Sequence, residues 1–194
     1  MADLVADGDA AEGRPDAVRL SVETTDRKSA TATESSQELH CRQLTAAEEV
    51  RAARALVARV YVQEGYLQPS DLMEHGVPRE DVDPYYSHSI YFGVSHSPTM
   101  DPLIAVSRIV LHHEDKGRDS FPMLAGMTLD DEFEQITSAA DLRAWAEVGA
   151  MAKVPGATVQ APNLLYRHMW HRAVRDGHAT WLFAADQRVS HDLS

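Results

Sequence analysis

Glu147, Arg108 and a run of loop acids are the residues whose types and spacing could do chemistry. Glu147 sits in WAEVGAMAKV, where Gly149, Ala150 and Ala152 leave the segment almost free of bulk. A carboxylate placed there can act as a general base. A strand glycine marks a bulge or the close approach of a ligand, and a bulge would turn backbone N–H groups toward an oxyanion. Dense packing against the following helix accounts for the same small residues. Arg108, in IAVSRI, is a planar donor suited to two-pronged contacts. It either serves a ligand or forms a structural ion pair with Glu147. Glu80, Asp81 and Asp83, in REDVDPYY, either hold a cationic group or stand in solvent.

Other groups carry weaker chemistry. Val154, Gly156 and Ala157 lie in VPGATVQAP, which runs into a helix N-terminus. Such an end favours phosphate through its dipole and free N–H groups. Arg167, Arg172 and Arg175 share the outer side of that helix and offer a basic face to an acidic partner. The same arginines also complement the helix dipole in solvent. Tyr61, Tyr66, Tyr85, Tyr86 and Trp145 either line a pocket or fill the core. His168 and His171 lie three apart, and His112 adjoins His113, but no His-Glu-x-x-His occurs. No metal site is expected.

The positioning elements follow from periodicity. Residues 38–44 read as a strand, and Thr45 with Glu48 reads as a capping box. The helix they open carries Ala46, Val50, Ala53, Val57 and Val60 on one face and stops at Gly65. Residues 68–87 form a long ordered loop. SIYFGVSHS and PLIAVSRIVLHH are strands joined through a turn at residues 97–102. A short helix is expected near residues 128–136. WAEVGAMAKV is then a strand, PNLLYRHMWHRAVRDG a helix and ATWLFAAD a strand covered on both faces. In that helix Leu165, Met169 and Ala173 form one row, and Tyr166, Trp170 and Val174 the next. The order is β-α-β-β-β-α-β, an α/β (α+β) class with a mixed twisted sheet.

Composition bounds the partners. Thirty acidic against eighteen basic residues give a formal charge of −12, which suits neither nucleic acid nor an anionic membrane. Cys41 is the only cysteine, so no internal disulfide forms, and it reads as a small core residue. The N-terminus lacks a secretory pattern, and no apolar run reaches the ~20 residues that span a bilayer. A cytoplasmic protein is expected. Residues 1–37, acidic and without aromatics, read as a disordered tail, and 38–194 as the folded domain.

The element order resembles the Gcn5-related N-acetyltransferase fold up to its fifth strand. The motifs resemble those of acyl-homoserine lactone synthases and N-acyl amino acid synthases. They are Val60-Tyr61 ending the helix, Glu80 and Asp83 as a loop acid pair, Arg108, FPML at residues 121–124 and EVGA at 147–150. The likeness covers about residues 40–186. Ala150 stands where these families usually have Arg, and Val57 where the lactone synthases do. Gly156 alone represents the phosphate-loop glycines.

The resemblance implies an N-acyltransferase that moves an acyl group from acyl-CoA or acyl carrier protein to the amine of an amino acid or similar small molecule. Glu147 and Arg108 would be catalytic. Glu80, Asp81, Asp83, Tyr61, Gly149 and Ala150 would bind substrate, and Val154, Gly156 and Ala157 the thioester cofactor. The alternative is a non-catalytic acyltransferase-fold module for interaction or acyl sensing. The fold usually continues with a further helix and two strands, which this sequence does not supply, so the domain reads as C-terminally incomplete. The last strand would then be an uncovered apolar edge, and self-association is expected.

Overall fold

The computed structural model describes residues 38–183. The expected tail at 1–37 and the end of the last expected strand, residues 184–186, lie outside the described residues. The strands are β1 (His40–Leu44), β2 (Ser89–Ser95), β3 (Ala105–Leu111), β4 (Trp145–Lys153) and β5 (Thr180–Phe183). The helices are α1 (Ala47–Gln63), α2 (Asp131–Ala139) and α3 (Gln160–Asp176). The strands form one sheet in chain order. Its first three junctions are antiparallel, and β4–β5 is parallel. The expected β-α-β-β-β-α-β order is therefore present, with α2 added ahead of β4.

The sheet is covered on both faces over β2 and β3. Phe92, Val94, Ala105 and Ile109 pack on Ala161, Leu165 and Met169 of α3. Tyr91 and Val106, facing the other way, pack on Ala53, Leu56 and Val57 of α1. The alternation along each strand assigns residues to the two faces. β3 is buried at all but its last position, as a central strand with helices on both sides should be.

α1 begins one residue later than Thr45 and Glu48 imply. Ala46 is the N-cap, and Glu49 turns back to accept from the N–H groups of Thr45 at 3.2 Å and Ala46 at 3.3 Å. Glu49 prevails because Arg42 of β1 also donates to it, one contact measuring 3.1 Å. That hydrogen bond, with help from the two backbone donors, draws the Glu49 carboxyl down to about 2. α1 ends as expected at Gly65, whose φ of 79° suits a residue without Cβ. The Gly65 and Tyr66 N–H groups then close on Val62 and Tyr61 carbonyls at 3.2 and 2.8 Å.

Two further differences have local causes. The short helix starts at Asp131 because the Asp130 side chain accepts from the Phe133 N–H at 2.8 Å. β5 is half-buried, with Phe183 56% exposed, instead of covered on both faces. α3 lies mainly over β1, β2 and β3 and meets β5 chiefly through Trp170, whose ring centroid stands 5.4 Å from that of Trp181. The α3 row of Leu165, Met169 and Ala173 is buried, whereas Tyr166, Trp170 and Val174 face solvent. Cys41 packs beside the α3 cluster, and burial pushes its thiol up to about 12, which leaves it without thiolate at neutral pH. Among the described residues no helix is long and apolar enough to cross a membrane.

Candidate active site

The β3–β4 register places the central residues. Arg108 stands opposite Gly149 and Val110 opposite Glu147, so Arg108, Glu147 and Gly149 share the α1 face of the sheet. Beyond Gly149 the register slips, because Val106 stands opposite Ala152. One residue of β3 therefore faces two of β4, which is a bulge. Ala150 sits in it at a φ of 50°, a left-handed conformation that costs a non-glycine residue ~1–2 kcal/mol. Of the alternatives the sequence left open for this segment, a bulge is present, at Ala150 and Met151, directly after the paired Gly149.

Glu147 is 3% exposed, and its Oε2 accepts from the Met123 N–H at 3.0 Å. Burial pushes its carboxyl above the usual range, and the Met123 N–H and the Arg108 charge only partly oppose this. The Met123 amide is fixed by its neighbours, since Phe121 and Leu124 are buried with Trp145. That anchoring gives the FPML segment its structural purpose. Gly149 opens the space in front of Glu147. A Cβ added there would meet nothing within 4 Å except Glu147 Oε1 at 3.9 Å. Packing against α3 does not explain this glycine, because α3 lies on the opposite face.

Arg108 is 8% exposed and pairs with Asp83, not with Glu147. Its Nη1 donates to Asp83 Oδ1 at 2.8 Å and Oδ2 at 2.9 Å, and to the Tyr91 hydroxyl at 3.2 Å. Burial disfavours the guanidinium charge, but Tyr91 and Asp83 outweigh it and raise its pKa further. Burial likewise raises the phenols of Tyr91 and Tyr61.

A cavity of ≈ 180 Å³ lies between α1, the α1–β2 loop and β3. Five of the sequence-derived candidates line it: Tyr61, Asp83, Tyr85, Arg108 and Ala150. Arg54 and Pro122 complete much of the wall. Glu147 and Gly149 are not among its lining residues, although they neighbour Arg108 and Ala150 on the same face of the sheet, and Glu80 and Asp81 do not join it. Glu80 is exposed and accepts from the Tyr86 hydroxyl at 2.6 Å, while Asp81 is exposed and pairs with Arg79 at 3.0 Å. Tyr66 is 72% exposed, and Trp145 belongs to a separate cluster with Phe121 and Leu124.

The β4–α3 loop is occupied by its own bonding. Val154 N–H donates to Ile104 O at 2.9 Å, and Ala157 N–H to Val154 O at 3.1 Å. With Pro155 second and Gly156 third at a φ of 79°, VPGA has the sequence and hydrogen bond of a type II turn. Gly156 thus makes the turn, and neither the Val154 nor the Ala157 amide is free for a phosphate. On α3, Arg172 is held by Asp176 and by Gln43 of β1, and Arg175 reaches Asp176 at 3.5 Å. Among the described residues no three His, Cys, Asp or Glu gather as a metal site would require.

Sequence reasoning missed Arg54. The available signal was its position three residues before Val57, on the helix face that meets the loop.

No protein-family model matches the chain, and no curated protein does. Among solved structures it is similar to FeeM, an N-acyl amino acid synthase from uncultured soil microbes. The identity is 16%, the TM-score 0.59, and the match covers 81% of this chain and 76% of that one. A predicted acetyltransferase from Clostridium acetobutylicum, solved with acetyl-CoA, matches at 12% identity and a TM-score of 0.44, covering 78% and 83% of the two chains. The FeeM match, with the mixed sheet and its two flanking helices, shows that this chain shares the acyltransferase-type fold of that synthase.

Proposed function

We propose that the chain is an N-acyltransferase that transfers an acyl group from an acyl thioester to the amine of an amino acid or similar small molecule. The observation that carries this reading is Glu147, a buried carboxylate with a raised pKa behind an open glycine, next to a strand bulge. A free α-amine has a pKa of ~8 and is mostly protonated at neutral pH. A carboxylate with a raised pKa is a better match for taking its proton than an ordinary one.

The step balances as follows. The amine nitrogen attacks the thioester carbonyl carbon, and the oxyanion is held by backbone N–H groups at the Ala150 bulge. The C–S bond breaks as the carbonyl re-forms. Glu147 takes one proton from the ammonium before attack and releases it to solvent, and a second proton passes from the nitrogen to the leaving thiolate, giving amide and free thiol. Arg108, oriented by Asp83, presents its guanidinium to the cavity that receives the acceptor, with Tyr61 in the wall. Glu80 and Asp81 have no part in this arrangement. The donor is acyl-CoA or acyl carrier protein, and the reaction runs in the cytoplasm. Phosphate contacts fall to the Gly156 amide, since Val154 and Ala157 are engaged, the Gln160 and Ala161 N–H groups bond to Thr158, and Pro162 has none.

That engagement favours a second reading, a module of the same fold that senses an acyl group without transferring it. Incubation with acyl thioesters of graded length and a panel of amino acids separates the two. Amide and free thiol forming in equal amounts is the expected result. Saturable thioester binding with neither product selects the second reading.

A further inference from the structure

We propose that Arg54 is a positioning residue that fastens the α1–β2 loop to α1, so that Asp83 is presented to Arg108 at the cavity wall. Its kinetic consequence rests on the acyl-transfer reading, but its structural consequence does not. The Arg54 side chain is 10% exposed, and its contacts reach three points along one short segment, residues 78–86. Nη2 donates to the Pro78 carbonyl at 3.0 Å. Nε lies 3.9 Å from Asp83 Oδ2. The guanidinium carbon stands 4.1 Å from the centroid of the Tyr86 ring.

These contacts use different properties of one group. The fork reaches the carbonyl, the charge faces the carboxylate, and the flat face lies on the ring. A lysine carries the charge on a single nitrogen and cannot reach the carbonyl, the carboxylate and the ring together. At 3.9 Å, and with Nε making no hydrogen bond, the contact to Asp83 is electrostatic. Both oxygens of Asp83 therefore remain on Arg108 Nη1. Arg54 thus supports Asp83 from behind without competing for it. Inside the segment, the Val82 and Asp83 N–H groups both turn onto Arg79 O, at 3.1 and 3.0 Å. Holding Pro78 and Tyr86 consequently fixes the turn between them. Pro78, Val82, Asp83 and Arg54 itself all line the cavity.

Amide hydrogen exchange in Arg54→Lys and Tyr86→Leu tests the proposal, with steady-state kinetics alongside. Tyr86→Leu removes the stacking surface, together with the hydroxyl contact to the exposed Glu80, without altering α1, and Tyr86→Phe removes that hydroxyl contact alone as the control; the pair covers the case in which a change in the helix disturbs folding. Exchange across residues 79–86 should quicken roughly tenfold in Arg54→Lys and Tyr86→Leu, between the scales of an exposed and a desolvated cation–π contact. Amides of β3 and β4 should keep their protection. The acceptor KM should rise by a similar factor in Arg54→Lys, with the thioester KM unchanged. Unchanged exchange across 79–86, or quickening spread equally over α1 and the sheet, overturns the proposal. If the wild type transfers no acyl group, the acyl-transfer reading fails while the exchange pattern still decides the role of Arg54.

Discussion

Asp83, from the α1–β2 loop, places both carboxylate oxygens on a single nitrogen of Arg108, at 2.8 and 2.9 Å. The pair is nearly buried, with side chains 16% and 9% exposed. Removing one partner leaves the other charge unpaired in the interior, which typically costs 3–5 kcal/mol. Asp83→Ala should therefore lower stability by about that much. Arg54 stands near the same carboxylate, so two guanidinium groups lose their counter-charge. Arg108→Lys should cost less stability and raise the acceptor KM, because a point charge replaces a planar fork. Chemical denaturation and steady-state kinetics check both. An Asp83→Ala variant as stable as the wild type would show that the pair contributes no net stability.

Gly149→Ala separates space for a ligand from space for packing. The new methyl meets only Glu147 Oε1 at 3.9 Å, and the backbone there has no positive φ. Stability should change by no more than ~0.5 kcal/mol, as for a substitution without strain or cavity. The thioester KM should rise, because the methyl enters the space the thioester needs. A large stability loss with unchanged kinetics would assign Gly149 to packing.

The Arg42–Glu49 pair ties β1 to the start of α1 and makes acid stability measurable at one residue. Its hydrogen bonds hold the Glu49 carboxyl down at about 2. The stabilisation is fully present above the unfolded carboxyl value, ~4.3, and is lost as pH falls toward about 2. Glu49→Gln should lower the melting temperature at pH 7, and the gap should close on acidification through that window. A gap independent of pH would mean that the charge is not what matters.

Glu147 has the opposite sign. Burial raises its folded pKa, so the stability it contributes is present below the unfolded value and lost as pH rises through the folded one. The neutral isostere in Glu147→Gln escapes that loss and can still accept from Met123. The variant should be at least as stable as the wild type at neutral pH, and the advantage should fade in acid. Thermal melts across pH test this. A variant less stable at pH 7 would point to a structural role for the charge.

Much of the fold was legible in the sequence because helix periodicity, strand runs and Gly stops act locally. α1 and α3, β1 to β4 and the Gly65 stop all follow from such signals. What escaped was set by distant partners. Glu49 displaced Glu48 in the cap because Arg42 of the neighbouring strand reaches it. Arg108 chose Asp83 over Glu147 because a loop 25 residues upstream folds onto β3. Gly156 carried a phosphate reading from its place before a helix, while the adjacent Pro155 already marked a type II turn. Arg54 looked like any helix arginine until the loop brought Pro78, Asp83 and Tyr86 to it. At the candidate site Glu147, Gly149 and Arg108 were legible from residue type and strand position. The separation of Asp83 from Glu80 and Asp81 was not, since three acids in four residues look alike without their partners.

The pH dependence of turnover in Glu147→Gln tests the central claim most directly. If Glu147 takes the amine proton, the variant keeps the shape and loses the basicity. Its kcat should fall by roughly 10²–10⁴, with the thioester KM little changed. Because burial raises the Glu147 pKa, wild-type kcat should fall in acid along a limb lying above the ordinary carboxylate value of ~4.3. That limb should vanish in Glu147→Gln, and high pH should partly restore its rate by supplying neutral amine. Full activity in Glu147→Gln, with the acid limb intact, would contradict the account.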